Sequence, residues 1–543
     1  MDALFRPDPR HTYRSLYDGF SWHVPDRLNI GRMCTDDQIG AHPALITHRA
    51  DGDVETTTFA ELSDMTTRFA NVLVGLGLER GDRVGIVLPQ SRAVLVSHLG
   101  AHKAGMVALP LAVLFGPDAL RYRLEDSAAR VVVTNPAMID VVQEAAAGLE
   151  LRIIVVGDAV VAGPLLSFEG VLRAASPRPI AVATAAEDPA TLIYTSGTTG
   201  PPKGALHAHR FLYGHFPSFE LYYDFFPQPA DVIWTPADWA WIGALMDVVI
   251  PALAYGKPVL TAEQPRFDPE FAGDLMAEHR VTSAFIPPTA LKMMRAAGIE
   301  RSDLTLRSIF TGGEALGEET LAWAGASLGT VINEGYGQTE ANIVVGNSAG
   351  VWDVRPGSMG RPMPGHDVAV VDQGGNRLLG EVGEVAVRTP NPVAMLEYWR
   401  QPEATARKYN GEWLLTGDLA VQDEEGYLWF ESRKDDVIIS MGYRIGPGEI
   451  EESLLGHPAV ALAAAIGEPD DIRGAVVKAF VVPADGVVSS PALVEELRHH
   501  VRSRLAAHEV PRDIEFRTEL PMTTTGKIMR RALRAESSKE GRA

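Results

Sequence analysis

The sequence is short of several features on which whole classes of protein depend. It has a single cysteine, Cys34, among 543 residues, which excludes an intrachain disulfide and a zinc site built from several cysteines. Basic residues are also scarce, because 49 Lys and Arg stand against 70 Asp and Glu and the net charge is −21. This balance argues against nucleic acid or an anionic membrane as the general partner, but it leaves room for a local anion site.

Long hydrophobic runs are missing as well. The most apolar long region, residues 93–116, is interrupted by His98, Lys103 and Pro110, so it does not predict a membrane span. The first nine residues contain no apolar signal core. We therefore expect a cytoplasmic protein without stable membrane insertion. Its 46% apolar and 22% charged residues are typical of a globular chain of several domains.

Alternating helix and strand patterns fill most of the chain before residue 350. Thr58 and Glu61 form the signature of a helix N-terminus, and this helix is expected to end at Gly75 or Gly77. A strand is predicted next, over residues 82–88, and the alternation continues with further helices and strands. Such alternation predicts layers of parallel α/β sheet.

Beyond residue 350 the pattern changes to short strands and Gly-rich turns, which predicts a β-rich subdomain over about residues 350–431. A charged connector at 432–437 precedes a compact α+β unit with a helix at 447–455. The sequence therefore predicts an N-terminal domain, 1–434, and a smaller C-terminal domain, 435–543.

The most informative stretch is the loop Thr195-Ser-Gly-Thr-Thr-Gly-Pro-Pro-Lys-Gly204, which follows a predicted strand at 190–194. Its glycines and hydroxyl residues suit a loop whose N–H groups turn toward an anion, with Lys203 adding positive charge. It is not a Walker A loop, because Lys203 follows Pro202 and precedes Gly204. Composition alone leaves a phosphate-binding loop and an ordinary surface loop equally open.

This loop resembles the signature loop of the adenylate-forming enzymes, which include acyl-CoA synthetases, luciferases and peptide-synthetase adenylation domains. Further matches follow in the order of that superfamily: Thr311-Gly-Gly-Glu-Ala315, Tyr336-Gly-Gln-Thr-Glu340, Leu415-Thr-Gly-Asp418, Arg433 and Pro521-Met-Thr-Thr-Thr-Gly-Lys527. The resemblance covers about residues 20–535 and is closest to acetyl- and medium-chain acyl-CoA synthetases. It implies that the C-terminal domain is a mobile lid with its hinge at Asp435.

The resemblance also implies an ATP site. Thr339 is expected at the α-phosphate and Glu340 on Mg²⁺, for which a carboxylate is a suitable ligand. Thr198, Glu340 and Lys527 are the implied catalytic residues, with Lys527 bridging the acid and the α-phosphate. The residues implied to bind ATP or AMP are Thr195, Ser196, Gly197, Thr199, Gly200, Lys203, Gly313, Glu314, Ala315, Glu334, Gly335, Tyr336, Gly337, Gln338, Thr339, Asp418 and Arg433.

The acid and CoA sites are also implied by resemblance. The walls of the acid pocket are expected at Trp239, Trp241, Ile242, Gly243, Gly312 and Gly337. Gly337 stands where acetyl-CoA synthetases carry Trp, and Gly312 also replaces a larger residue. This exchange predicts an acid larger than acetate: medium-chain, branched or aromatic. CoA is expected at Gly442, Arg444 and Arg502.

These motifs together predict an AMP-forming acyl-CoA synthetase. ATP and Mg²⁺ are needed to make an acyl-adenylate, and CoA then accepts the acyl group. Two alternatives stay open: an adenylating enzyme that loads a carrier protein, and a non-catalytic nucleotide-binding regulator on the same fold. The expected partners are the small-molecule carboxylic acid, ATP and CoA, without nucleic acid, and a homodimer is left open.

Overall fold

The computed structural model describes residues 3–8, 10–157, 165–195, 201–264, 266–314, 316–434, 436–440, 443–470, 474–505, 509–523 and 528–540. The chain divides into two compact units. The first comprises Met1–Thr195, Pro202–Val368 and Val387–Leu414, and the second comprises Ser196–Pro201, Ala369–Ala386 and Leu415–Ala543. The predicted domain boundary at residue 435 stays a prediction.

The strands within the described residues are, in chain order, β1 (Pro43–His48), β2 (Val54–Thr58), β3 (Arg83–Val87), β4 (Val107–Pro110), β5 (Ala129–Thr134), β6 (Arg152–Val155), β7 (Leu166–Ser167), β8 (Pro189–Thr195), β9 (Lys203–Ala208), β10 (Ile233–Trp234), β11 (Val259–Ala262), β12 (Ser283–Phe285), β13 (Ser308–Gly312), β14 (Ile332–Gln338), β15 (Ala341–Gly346), β16 (Arg361–Pro362), β17 (Val368–Val371), β18 (Arg377–Leu378), β19 (Val382–Arg388), β20 (Glu397–Tyr398), β21 (Tyr409–Asn410), β22 (Trp413–Gln422), β23 (Leu428–Arg433), β24 (Ile438–Ser440), β25 (Tyr443–Ile445), β26 (Val460–Asp470), β27 (Gly474–Pro483) and β28 (Asp513–Phe516).

The helices of the same residues are α1 (Tyr13–Asp18), α2 (Ile30–Met33), α3 (Phe59–Gly75), α4 (Arg92–Lys103), α5 (Pro117–Ser127), α6 (Ile139–Ala146), α7 (Phe168–Ala174), α8 (Phe211–Tyr222), α9 (Ile242–Ala244), α10 (Ile250–Ala254), α11 (Pro269–Glu278), α12 (Pro288–Ala296), α13 (Glu318–Ser327), α14 (Pro402–Ala406), α15 (Pro447–Leu455), α16 (Pro491–Arg504) and α17 (Arg530–Glu540). A 3₁₀ turn covers Pro136–Met138, and a π-helical segment, Leu245–Val249, joins α9 to α10.

Two large sheets form the first unit. The nine-stranded sheet has the order β16-β15-β14-β13-β12-β10-β11-β1-β2, and the eight-stranded sheet has the order β20-β9-β8-β4-β3-β5-β6-β7. Parallel pairing runs from β1 through β11, β10, β12 and β13 to β14. The predicted α/β fold with parallel sheets is therefore confirmed.

Local sequence signals account for several of these elements. Thr58 and Glu61 form the predicted capping box of α3, which ends at Gly75. The first core lies between the nine-stranded sheet and α11–α13, where Leu275, Leu291 and Ile309 are fully buried. Because this packing holds the sheet in place, it also positions the loops at the carboxyl ends of the parallel strands.

The second unit combines an antiparallel sheet with an α+β part. In the sheet, β18, β17, β19 and β22 follow one another and β23 also pairs with β22. In the α+β part, β26, β27 and β28 form one sheet and β24 and β25 form a hairpin. Helices α15 and α16 contribute Ile450, Leu454 and Leu497 to its core. Both the β-rich segment and the α+β unit agree with the predicted architecture.

Candidate active site

Two of the predicted nucleotide motifs lie on neighbouring strands of the first unit. In the parallel pair β13–β14, Thr311 is opposite Glu334 and Gly312 is opposite Gly335. Ligands in such sheets bind outside the carboxyl ends of the strands. The structure therefore brings the Thr311-Gly-Gly-Glu motif and the Glu334–Tyr336 segment to one edge of one sheet. Ala315 lies outside the described residues.

Glu334 is a buried carboxyl group at this edge. Its Oε1 accepts a hydrogen bond from the N–H of Leu316 at 3.3 Å, whereas its buried Oε2 has no partner in the part of the chain that the structure describes. Burial raises the pKa of Glu334 to about 7, against the opposing effects of the Leu316 N–H and of Lys292. One carboxyl oxygen is thus available to a donor on a ligand.

Close packing against a ring or the backbone explains three glycines here. A Cβ on Gly335 would lie 2.5 Å from the ring of Phe310, and one on Gly312 would lie 2.6 Å from the carbonyl oxygen of Gly335. A Cβ on Gly337 would lie only 2.0 Å from the backbone nitrogen of Ile343. Gly337 also falls at the irregularity between β14 and β15, and Ile343 itself has φ +40°, an unfavourable angle for a β-branched residue.

The expectation that Gly337 and Gly312 open the acid pocket stays a prediction. Their missing side chains point at neighbouring backbone atoms, so the glycines are explained by strand packing. A Trp at position 337 could not enter without displacement of β15. The sequence could not reveal this, because the direction of a Cβ is set by the local pairing of β14 with β15.

Glu340 lies in a small cluster with two side chains from other elements. The Tyr398 hydroxyl donates to Glu340 Oε1, and the ammonium of Lys203 lies 5.3 Å from the centre of the Tyr398 ring. Glu340 and Tyr398 are buried. The structure thus brings Lys203 of the signature loop together with Glu340, and it adds Tyr398, which no sequence motif marks.

The neighbouring residue Gln338 has a partner that the sequence also did not indicate. Its side-chain oxygen accepts from the ammonium of Lys408 at 3.0 Å. Lys408 follows α14 by two residues and is separated from Gln338 by 70 positions, so only the folded chain brings them together. Thr339, between Gln338 and Glu340, is half-buried.

The signature loop closes a β-hairpin. Thr195 at the end of β8 pairs with Lys203 at the start of β9, and the Thr195 hydroxyl donates to the Lys203 carbonyl oxygen at 3.4 Å. Tyr122 donates to the carbonyl oxygen of Pro202 at 2.9 Å. The predicted strand before the loop is confirmed as β8, and Ser196, Gly197, Thr198, Thr199 and Gly200 lie outside the described residues.

The predicted walls of the acid pocket lie between β10 and the π-helical segment. Trp239 is fully buried, and its indole nitrogen has no partner among the described residues. Trp241, Ile242 and Gly243 are half-buried. A Cβ on Gly243 would make ordinary contacts, 3.4 Å to Phe285 and 3.7 Å to Asp247 Oδ2. At Gly243, unlike Gly312 and Gly337, a methyl group would therefore fit without a clash.

The second unit brings Asp418 and Arg433 together. They are opposite each other on β22 and β23, and their charged groups are 3.0 Å apart. The N–H of Gly417, which has φ +82°, donates to Glu384 at 2.9 Å. Glu384 also accepts from Lys434 at 2.7 Å. The two residues predicted at the ribose are thus neighbours, and Glu384 is an addition that sequence reasoning missed.

The lid motifs are covered only in part. Asp435, Gly442 and Lys527 lie outside the described residues. Arg444 pairs through its backbone with Ile439 in the β24–β25 hairpin, and the structure does not describe its side chain. Arg502 is exposed on α16, which agrees equally with a CoA contact and with an ordinary surface arginine.

Ion pairs hold the start of α17, the helix after the Lys527 loop. Arg530 donates to Glu451 at 2.6 Å and to Asp436 at 3.1 Å, and Arg534 donates to Asp436 at 2.5 Å. Asp436 and Glu451 are buried. These arginines therefore connect α17 to α15 and to the segment just before β24.

A metal ion at Glu340 would depend on this one protein carboxylate. Tyr398 occupies Oε1, and Oε2 accepts no hydrogen bond from the residues that the structure describes. The donor set fits Mg²⁺, which is commonly held by one or two carboxylates together with phosphates and water. Within the described residues, the only group of three possible ligands that could share a metal ion is elsewhere, at His48, Glu278 and His279.

Comparison with known protein families identifies the family of this chain. The AMP-binding enzyme family matches residues 36–399, and the AMP-binding enzyme C-terminal domain matches residues 449–527. The chain belongs to the AMP-binding enzyme family. Among the described residues, every helix is too short or too polar to cross a membrane.

Curated relatives narrow the class. The chain is 36% identical over 490 residues to acetyl-coenzyme A synthetase of Bacillus subtilis (strain 168). The matched residues cover 89% of this chain and 85% of that protein. It is 36% identical over 507 residues to acyl-coenzyme A synthetase ACSM4, mitochondrial, of Homo sapiens. The matched residues cover 91% of this chain and 86% of that protein. The protein is an AMP-forming acyl-CoA synthetase, an ATP-dependent acid–thiol ligase with CoA as co-substrate, and the predicted reaction class is confirmed.

A solved structure supports the fold independently. The anthranilate CoA ligase AuaEII in complex with anthranoyl-AMP superposes with a TM-score of 0.85 at 29% identity, over 96% of this chain and 99% of that chain.

Proposed function

We propose that this acyl-CoA synthetase activates a carboxylic acid larger than acetate, of the medium-chain, branched or aromatic kind. The observation that carries the proposal is the half-buried Gly243, whose missing side chain leaves space beside the Phe285 ring. Gly312 and Gly337 are not part of this argument. The similarity to an anthranilate CoA ligase supports the same class.

We propose the nucleotide contacts of each unit by itself, from the motifs that the sequence implies. Glu334 would accept a hydrogen bond from the adenine amino group through its free Oε2, and Tyr336 would pack on the base. Asp418 would accept from the ribose hydroxyls with Arg433 beside it. Lys203 and the signature loop would hold the β- and γ-phosphates through charge and N–H groups.

Transfer of an adenylyl group to an anion demands charge neutralisation more than acid–base catalysis. Mg²⁺ held by Glu340 would supply part of that charge. Tyr398 would orient the Glu340 carboxylate, and Lys203 would remain beside it. Lys527 from the C-terminal part is proposed to bridge the acid carboxylate and the α-phosphate, and Gly442, Arg444 and Arg502 are proposed for CoA.

The experiment is a CoA-thioester assay over acetate, butyrate, hexanoate and benzoate, with AMP release measured with and without CoA. We expect at least about tenfold higher kcat/KM for one of the three larger acids than for acetate, since each extra buried methylene discriminates by roughly tenfold or more.

Gly243→Val is the matched variant. Its branched side chain would fill the space beside Phe285, so the preference should shift toward acetate and butyrate. A wild-type preference for acetate, or a Val variant that keeps the wild-type order of acids, would contradict the assignment of this pocket.

A further inference from the structure

A buried carboxyl group lies directly behind the acid-pocket segment Trp241–Gly243. Asp247 is only 1% exposed and follows Gly243 by about one helical turn. Its Oδ2 lies 3.7 Å from the position that a Cβ on Gly243 would occupy, and Phe285 borders the same position at 3.4 Å. The residue that would otherwise cover this oxygen has no side chain.

The hydrogen bonds of Asp247 use only its other oxygen. Asn342 donates from Nδ2 to Asp247 Oδ1 at 2.8 Å and also to His215 Nε2 at 3.0 Å. His215 is fixed in this role because its Nδ1–H donates to the Phe211 carbonyl oxygen at 2.7 Å. Asn342 therefore has no donor left over, and within the described ranges no group donates to Oδ2.

The backbone around Asp247 is held in an unusual geometry. Asp247 lies in the π-helical segment Leu245–Val249, a rare form that is frequent at functional sites. Its carbonyl oxygen accepts from the hydroxyls of Tyr222 at 3.3 Å and Tyr223 at 3.0 Å. Two fully buried tyrosines thus hold the backbone of Asp247. The hydrogen bond from Asn342 to Oδ1 holds the side chain, and Oδ2 lies toward Gly243.

We propose that Asp247 Oδ2 forms a polar subsite of the acid pocket, and that the natural acid carries a hydroxyl or amino group that hydrogen-bonds to it. This inference rests on the proposed function, in which Trp241–Gly243 line that pocket. A buried oxygen without a partner costs free energy that a suitably placed substituent recovers. Sites of this kind reject analogues that lack the group far better than apolar pockets reject a missing methylene.

The test uses acids matched in shape. The ortho, meta and para isomers of hydroxybenzoate and aminobenzoate are each compared with the corresponding methylbenzoate, and ω-hydroxy acids of four to six carbons are compared with unsubstituted acids of one carbon more. We expect at least one substituted acid to exceed its methyl partner about tenfold or more in kcat/KM. Equal values in every pair, with thioester still formed, would overturn this inference and leave the proposed function intact. Absence of thioester from every acid would overturn the proposed function.

Two variants test whether the Asp247 carboxyl group itself, and not only the shape of the pocket, determines the acid preference. Gly243→Ala places a methyl group over Oδ2 at ordinary contact distances and should reduce the preference for the substituted acid about tenfold. Burial raises the pKa of Asp247 well above its ordinary value, so the carboxyl group can both donate and accept at the Oδ2 position. Asp247→Asn keeps the acceptor for Asn342 but leaves only an N–H donor at the second position. The preference for aminobenzoates, which mainly donate, should therefore be lost, while the preference for hydroxyl-substituted acids, which can accept, is retained. An unchanged preference in both variants would overturn the role of Oδ2.

Discussion

At the scale of single residues, Glu334 shows how burial changes the pKa of one carboxyl group at the proposed nucleotide site. Its pKa is about 7, raised from an ordinary 4.5 by burial. Between these two values the folded protein binds more protons than the unfolded chain. The contribution of Glu334 to stability is therefore fully present below about pH 4.5 and is lost as the pH rises to 7.

We predict that Glu334→Gln removes this dependence. The unfolding free energy of the wild type, minus that of the variant, should fall by up to about 3 kcal/mol between pH 4.5 and 7 and stay constant above it. Urea unfolding of the apo-proteins across this range measures the difference. A difference that stays flat, or rises with pH, would show that Glu334 is not protonated in the fold at pH 5.

Tyr398 is the second residue whose role can be isolated. Tyr398→Phe keeps the ring beside Lys203 but removes the donor to Glu340, so the carboxylate loses its orientation. We predict a rise of about 2–10-fold in the Mg²⁺ concentration needed for half-maximal acyl-adenylate formation, which corresponds to the loss of one hydrogen bond.

The chain offers a matched control for this variant. Tyr255 donates in the same way to the buried carboxylate of Glu220, so Tyr255→Phe should lower stability without changing the Mg²⁺ requirement. Equal Mg²⁺ titrations for wild type and Tyr398→Phe would contradict the proposed role of Glu340.

At the scale of elements, α17 is held by ion pairs as well as by the fully buried side chain of Leu533. Arg530 and Arg534 both form ion pairs with Asp436, so removal of that carboxylate takes one partner from each arginine. We predict that Asp436→Asn lowers the unfolding free energy by about 1–3 kcal/mol and reduces acyl-adenylate formation about tenfold, because α17 directly follows the Lys527 loop.

Thermal unfolding and pyrophosphate release measure the two effects. Glu495→Gln, which breaks the exposed pair with Arg498 on α16, is the control and should change neither quantity measurably. Full adenylation by Asp436→Asn would show that the position of the loop does not depend on this anchor.

Elements were predictable where the signal was local. The α3 capping box, the strand before the signature loop and the helix α15 at 447–455 were all correct, because caps, hydrophobic periodicity and glycine turns act over a few residues. Tyr398, Lys408 and Glu384 were missed because their partners are distant in sequence. The close contact at Gly337 was missed for the same reason, since it depends on how β14 pairs with β15.

At the scale of the whole molecule, the two half-reactions can be separated. Lys527→Ala should lose most acyl-adenylate formation, at least about hundredfold, because it removes the positive charge that we propose bridges the acid and the α-phosphate. Thioester formation from supplied acyl-adenylate and CoA should persist. Single-turnover assays of each step measure this.

The reciprocal variant is Asp435→Pro, which fixes φ near −65° at the proposed hinge. Adenylation should persist while thioester formation falls. Equal loss of both half-reactions in either variant would contradict a model in which the C-terminal domain presents different residues to the two steps.

The crowding around the glycines of β13 and β14 has a consequence for how this enzyme can diversify. A saturation library at Gly335 or Gly337 should return almost only glycine among active clones, because even an alanine methyl group meets a ring or a backbone atom at 2.5 Å or less. At Gly243, which has ordinary contact distances, small side chains should survive. We therefore expect natural and laboratory changes of acid preference to occur at the start of the helix that contains the π-helical segment, while the glycines of β13 and β14 stay unchanged.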